Sequence, residues 1–565
     1  MSNLLDYVGG DRATTAILVL LAVLLRVLTG LSSYSGAGDA PKYGDYEAQR
    51  HWMELTVNLP VTDWYTDSPV NNASYWPLDY PPLSGYQSWV CGLAMRAVEP
   101  ASVALMSSHG YESPTSKIVM RWSVIAADLL VYIPASLAAV HVFYGAPSSS
   151  STSTSSSTTT IRRRARSLAL AALLFNPALL LVDHGHFQYN GISLGLTLGA
   201  VAAIGAGRQL LGSVLFSLAL NHKQMTLFFA PAFFAHLLGW ALHAERHRGA
   251  GAKILAVVKL GLTVIATFAI CWAPYLSSKE AVLQVLTRIF PVRRGLYEDY
   301  VANWWCTSSL LLKWKSRFSA PVLLRAAAAA TLGAAAPAMA HQILGRPGGA
   351  TNRGGGGAGG GPTRWGLLRC LANSAFSFFM FSYQVHEKSI LLPLLPITLM
   401  AGEEPLLAAW LPLAAALSMF PLLERDGVAL PYAALCVAYG AVMAGPALRH
   451  ARELRQARAR TGVEGKGGAG GPVGSAVGGL TGWALRHWSA LAGLSVAAAL
   501  GLHAARLLLP PPERLPWLHD RAFISAAFGV FALSYVYLQA SQWLEMGSSG
   551  GGGRAAAGRG RAKED

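Results

Sequence analysis

Several short stretches of this sequence put carboxylates, imidazoles and cations where they can move a proton or hold a phosphate. The first is "YGDYEAQRHWMEL", Tyr43 to Leu55, where Gly44-Asp45 precedes Glu47, Arg50, His51 and Glu54 at helical spacing. Asp45 stands at the start of that helix. It can cap the helix by accepting a backbone N–H, or it can act as a general base that deprotonates a substrate hydroxyl. Residue type and position fit both. The stripe behind it reads as i,i+4 pairing that orients a helix lying on a membrane surface.

The second stretch, "YWPLDYPPLSGY", joins Asp79 and Tyr80 to a Tyr-Pro-Pro turn. Aromatic faces beside a carboxylate suit a sugar, and aromatic residues are also expected wherever a chain crosses a bilayer interface. A third, "DHGHFQYNG", carries Asp183, His184 and His186. His-x-His without a third placed ligand is a weak metal pattern, and no Asp-x-Asp occurs in the chain to hold a nucleotide diphosphate through a metal. The pattern therefore points to a donor handled without metal. Lys223 in "NHKQM" and His386, Glu387 and Lys388 in "YQVHEKSILLPLLP" sit between apolar runs, where a charge is costly unless paired or used. Glu387 and Lys388 can neutralise each other. Lys223, His386 and the Arg293-Arg294 pair are left as candidates for binding an anion, a task that suits the guanidinium fork.

What positions these groups is a membrane. Of 565 residues, 53% are hydrophobic and 13% charged, far below the roughly 25% charged residues of soluble domains. Apolar stretches recur near 14–31, 118–144, 167–183, 190–207, 208–221, 224–242, 254–275, 319–345, 366–385, 388–402, 405–423, 428–447, 486–509 and 521–541, which predicts about fourteen spans. The first of them has no small-residue cleavage site and reads as a retained anchor. Five scattered cysteines without CxxC spacing indicate neither a zinc site nor a disulfide framework.

The net charge of +16 does not indicate nucleic acid, because the basic residues collect in short breaks such as Arg162 to Arg166 and Arg449 to Arg460. That is the cytoplasmic bias of membrane loops. An even number of spans puts both termini in the cytoplasm and the loops 32–117 and 277–318 on the other side. The sequon Asn72-Ala73-Ser74 in the first of these is usable only in the secretory lumen. The expected organisation is a cytoplasmic N-terminus (1–13), a catalytic membrane module (14–423), C-terminal membrane helices (424–541) and a basic cytoplasmic tail (542–565). The Ser/Thr-rich and Gly-rich low-complexity segments carry no chemistry.

Taken together, "GDYEAQRHWMELT", "LDYPPLSGY", "ESPTSK", "DHGHFQYNG", "KQM", "FPVRRGLYEDYVANWWC" and "FSYQVHEKSILLPLLP" strongly resemble the dolichyl-phosphate-glucose-dependent α-1,3-glucosyltransferases of the endoplasmic reticulum. The motifs run from about residue 30 to 400, and the last third matches in character. "EAQRHWMELT" and Gly185 look like the branch that adds the first glucose to the nine-mannose lipid-linked oligosaccharide. The sister branch, which adds the second, typically has Arg-Asn-Trp at Arg50-His51-Trp52 and a bulkier residue at Gly185. Tyr300 departs from the family, which usually has Lys there.

The resemblance implies an all-α polytopic fold of the GT-C type with a luminal active site, and an inverting transfer with Asp45 as the base. Arg50, His51, Asp79, Tyr80, His184, His186, Gln188, Tyr189, Lys223, Gln224, Arg294, His386, Glu387 and Lys388 are the implied substrate-binding residues. Lys223, His386 and Arg294 are the implied phosphate contacts. No metal or other cofactor is implied. The expected partners are dolichyl phosphate glucose, the dolichyl-diphosphate-linked oligosaccharide and membrane lipids. The rival readings are the sister transferase and, from another class, a polytopic lipid or solute transporter, which would be expected to show repeated halves and midplane charges.

Overall fold

The computed structural model of the chain describes residues 11–41, 43–145, 156–244, 249–290, 295–297, 300–345, 361–461 and 472–547. Each apolar run read from the sequence is helical over most of its length. The described residues contain no sheet, only isolated bridges such as Tyr297 with Val385. Nine described helices, from Arg12–Gly30 to Leu518–Trp543, are long and apolar enough to cross a bilayer. The other predicted spans form the shorter helices Asn190–Gly205, Gln209–His222, Arg364–Phe381, Leu391–Leu399 and Pro405–Ser418. The 14 residues of Gln209–His222 rise only about 21 Å, short of the roughly 30 Å hydrocarbon core. Several of these helices are enclosed by protein; all of Leu391–Leu399 is buried. Their apolar character thus reflects packing against other helices as well as contact with lipid. All five cysteines are unpaired.

Proline punctuates the third span. The helix Ser156–Leu174 stops before Asn176-Pro177, where the Asn176 side chain accepts the Ala178 N–H at 3.1 Å and a new turn begins. That turn widens over Leu181–Phe187 into a π-helical segment. Such i→i+5 turns are rare and are frequent at functional sites. A second one, Asp128–Tyr132, lies in the neighbouring span.

Two helices of the first large loop, Asp45–Asn58 and Pro82–Val98, pack together over the membrane helices. The Asp45–Asn58 helix does not lie on a surface as its charge stripe predicts: every residue from Tyr46 to Thr56 is buried. Arg50 explains how. Its five N–H donors go to Glu47 Oε1 and Oε2 (2.6 Å each), Glu54 Oε2 (2.9 Å), and the Ser102 carbonyl and Ser108 Oγ (2.8 Å each). A buried charge is tolerable only when satisfied in this way. The stripe therefore pins the helix to the following loop from inside.

Candidate active site

The helix start, the π segment and two interhelical corners open onto one cavity of about 1190 Å³. Asp45, Asp79, Tyr80, His186 and Gln188 line it. Lys223, Gln224, His386, Glu387 and Lys388 complete the predicted residues that it gathers.

Of the two readings of Asp45, the helix cap is not realised. The helix N-cap is Gly44, and the Asp45 carboxylate caps nothing: its Oδ2 accepts Lys388 Nζ at 2.6 Å, His186 Nε2 at 3.0 Å and the Gln188 side-chain amide. Among the described residues no hydrogen bond reaches Oδ1, and the side chain keeps 25% of its surface exposed to the cavity. Burial raises its pKa, but Lys388 and His186 outweigh that and hold it well below the usual carboxylate range. The group is an ionised carboxylate with one oxygen fixed and the other open.

The supports of Asp45 are themselves held. His186 Nδ1 reaches Asp426 Oδ2 at 2.5 Å, so the ring spans two carboxylates and is 2% exposed. Gln188 Oε1 accepts Lys223 Nζ at 2.8 Å, and Lys223 also reaches Asn190 Oδ1 at 2.6 Å with its ammonium 4.8 Å from the centre of the Tyr80 ring. Asn190 in turn donates to Asp183 at 2.6 Å. The predicted neutral pair is loose: Lys388 lies 3.9 Å from Glu387, against 2.6 Å from Asp45.

Backbone strain concentrates here. Outside glycine, positive φ occurs among the described residues at Tyr43 (55°), Trp76 (38°), Met106 (66°), Phe187 (96°) and Gln384 (61°). Tyr43 and Trp76 line the cavity, and Phe187 and Gln384 lie within two residues of His186, Gln188 and His386. Strain of this sort persists where the surroundings over-determine it. At Phe187 it reverses the chain between the π segment and Gln188, so both flanking side chains reach Asp45. Gly44 is needed for a close approach, since a Cβ there would meet Ser35 Oγ at 2.3 Å.

Some predicted residues lie elsewhere. Arg50 and His51 face the buried network, with His51 Nδ1 3.1 Å from Glu54, and do not line the cavity. His184 is paired with Asp128 at 3.0 Å, beside Arg26 at 2.6 Å from the same oxygen, and Tyr189 meets Ser123 Oγ at 2.6 Å. None of these four lines the cavity, and each makes at least one of its hydrogen bonds inside the protein. Arg294 lies outside the described residues. Tyr300, where the family usually has Lys, places its ring 5.0 Å from the Arg521 guanidinium. At Gly185 a Cβ would have ordinary contacts at 3.7 Å, so space for a methyl group does not enforce this glycine.

The described residues hold one cluster of three side chains able to share a metal ion, His51, Glu54 and His109. It lies outside the cavity lining, and both Glu54 oxygens already accept hydrogen bonds, from the Met106 N–H on one and Arg50 and Ser108 on the other.

Residues 17–537 match the ALG6, ALG8 glycosyltransferase family. This chain belongs to that family. It is a polytopic membrane glycosyltransferase. Its relatives include the probable dolichyl pyrophosphate Man9GlcNAc2 alpha-1,3-glucosyltransferase of Arabidopsis thaliana, 42% identical over 94% of this chain and 90% of the relative. The dolichyl pyrophosphate Man9GlcNAc2 alpha-1,3-glucosyltransferase of Gallus gallus is 42% identical over 75% of this chain and 77% of its own length. Its namesake in Saccharomyces cerevisiae is 38% identical over 75% and 73%. The family match extends well past residue 400, where the sequence motifs end.

That extension matters, since sequence reasoning missed Asp426, Arg425 and Arg288, which all line the cavity. Residues on both sides of position 423 line this cavity. "ERDG", Glu424 to Gly427, is a charged break between apolar runs, and the rule that drew attention to Lys223 applies to it equally.

Proposed function

We propose that this chain transfers glucose from dolichyl phosphate glucose, in α-1,3 linkage, to the nine-mannose oligosaccharide carried on dolichyl diphosphate. The setting is the lumen of the endoplasmic reticulum, and Asp45 is the general base. The observation that carries the mechanism is the division of labour within one carboxylate: Oδ2 is held by three donors, and Oδ1 opens into the cavity.

The donor's β-linked glucose becomes α-linked, so one displacement suffices and no enzyme nucleophile is required. Asp45 Oδ1 accepts the proton of the acceptor hydroxyl while that oxygen bonds to the glucose anomeric carbon. The bond from that carbon to the phosphate oxygen breaks, and dolichyl phosphate leaves with the electron pair. A carboxylate held so strongly ionised is a weak base in the ground state. It suffices because the hydroxyl becomes acidic only as it attacks an oxocarbenium-like centre. Lys388 and His186 keep Asp45 ionised, and Lys223 adds a further cation to the cavity lining. The metal-free reading rests on the absence of an Asp-x-Asp pair from the chain, and Lys223, which lines the cavity and makes no bond to Asp45, is a cation able to meet the charge of the leaving phosphate.

The test is transfer by purified protein from dolichyl phosphate glucose to the nine-mannose acceptor, offered with and without one glucose already attached. Transfer to the unglucosylated acceptor alone is expected, unaffected by EDTA. Asp45→Asn should lower the rate at least about a hundredfold without loss of expression. Transfer only to the glucosylated acceptor would move the chain to the sister branch, and an unimpaired Asp45→Asn variant would remove the base.

A further inference from the structure

The cavity holds charged hydrogen-bond donors that the mechanism above does not use. Arg288 lies in the last turn of the helix Lys279–Ile289 in the second large loop and lines the cavity. Its side chain is 12% exposed, and neither Nη1 nor Nη2 makes a hydrogen bond among the described residues. Its nearest recorded countercharge is Asp67 at 3.8 Å, a carboxylate 70% exposed that has little need of a partner. Two buried guanidinium nitrogens without acceptors are expensive in a folded protein. Arg26 and Arg121 also have buried guanidinium nitrogens without hydrogen bonds, but neither of them lines the cavity and Arg288 does.

A second unsatisfied group borders the first. Gln224 Oε1 is buried without a hydrogen-bond partner, while its Nε2 reaches the Asp79 carbonyl at 3.0 Å and the Ile289 carbonyl, next to Arg288, at 3.5 Å. The same stretch of wall therefore offers a cationic fork and, beside it, a lone acceptor. An oxyanion flanked by a hydroxyl satisfies both, the fork taking two oxygens of a phosphate and the amide oxygen accepting the O–H.

We infer that Arg288 is a phosphate-binding residue of this cavity, with Gln224 Oε1 accepting a neighbouring sugar hydroxyl. The inference rests on the transfer reaction proposed above. It gives Arg288 a contact that the family resemblance implies for Arg294. In-line displacement puts the base and the leaving group on opposite sides of the anomeric carbon. Arg288 suits the leaving side: it does not touch Asp45 and comes from a separate loop. Both substrates carry phosphate, the donor as a monoester and the acceptor as a diphosphate, and the geometry suits the donor because the phosphate and a glucose hydroxyl are adjacent there.

The experiment compares full-length wild type, Arg288→Ala and Arg288→Lys in steady-state transfer with each substrate varied in turn, and in direct binding of dolichyl phosphate, which requires no turnover. Arg288→Ala should raise the donor KM at least tenfold, lower kcat, leave the acceptor KM unchanged and weaken dolichyl phosphate binding by a similar factor. Arg288→Lys, which keeps the charge and loses the fork, should recover part of both and covers the case in which the alanine variant does not fold. A rise confined to the acceptor KM would place Arg288 on the acceptor diphosphate and overturn the assignment to the donor. Wild-type kinetics and wild-type dolichyl phosphate binding in both variants would overturn the phosphate role altogether. Absence of transfer by the wild type would count against the parent reaction alone, since dolichyl phosphate binding still tests Arg288.

Discussion

At the scale of single residues, the site converts costly buried charge into orientation. Asp45 is useful because one oxygen is immobilised by Lys388, His186 and Gln188 and the other is not. Lys223 works one step behind, holding Gln188 from the side away from Asp45. Burial pulls its pKa below that of an ordinary lysine; Asp183, Asp45 and Asp79 oppose that pull and Lys388 reinforces it. A lowered lysine pKa means that the cation is lost at lower pH than usual. The rate should therefore decline on the alkaline side well before the ordinary lysine pKa of about 10.4. Lys223→Arg, which stays charged, should move that decline to higher pH. An alkaline limb unchanged by the substitution would remove Lys223 from the charge balance.

At the scale of elements, two devices stand out. The π segment Leu181–Phe187 and the strained Phe187 turn His186 and Gln188 onto one carboxylate oxygen. Asp426 then fixes His186 from behind and acts as a positioning residue. Asp426→Asn should lower kcat about tenfold or more with little change in either KM, and Asp426→Glu should restore part of it. A KM effect without a kcat effect would argue that Asp426 touches substrate. The other device is the buried Arg50 cluster, in which Glu47 and Glu54 outweigh the burial that would otherwise lower the arginine pKa. Arg50→Met leaves two buried carboxylates without their cation and should cost about 3–5 kcal/mol. That cost should appear as a lower Tm of the purified protein, and an unchanged Tm would mean that the cluster is not what holds the helix.

At the scale of the whole molecule, the site draws on both large loops and on the Leu422–Gly427 break near the C-terminal helices. Its residues belong to one side of the membrane if the basic clusters mark the other. In sealed microsomes, a cysteine replacing exposed Asp67 should be protected from a membrane-impermeant maleimide, and one replacing exposed Arg162 should react. The reverse pattern would put the cavity in the cytoplasm and remove the luminal assignment.

The class of the molecule and several residues of the cavity are legible from the residues alone. Long apolar runs fold as helices because hydrocarbon leaves backbone polar groups no other partner. The motifs around Asp45, Asp79, His186, Lys223 and Lys388 were legible because each is a local cluster of charge at the end of such a run. Charge at a span end looks the same in sequence whether it is spent on a neighbour or offered to a cavity, so Arg50, His51, His184 and Tyr189 are not distinguishable there from the residues that line the cavity. That Arg50 finds acceptors for all its donors while Nη1 and Nη2 of Arg288 find none is visible only in three dimensions, because it depends on what packs against each side chain. Only the tertiary structure brought Asp426 to His186, since a contact spanning 240 residues leaves no periodicity in the chain that makes it.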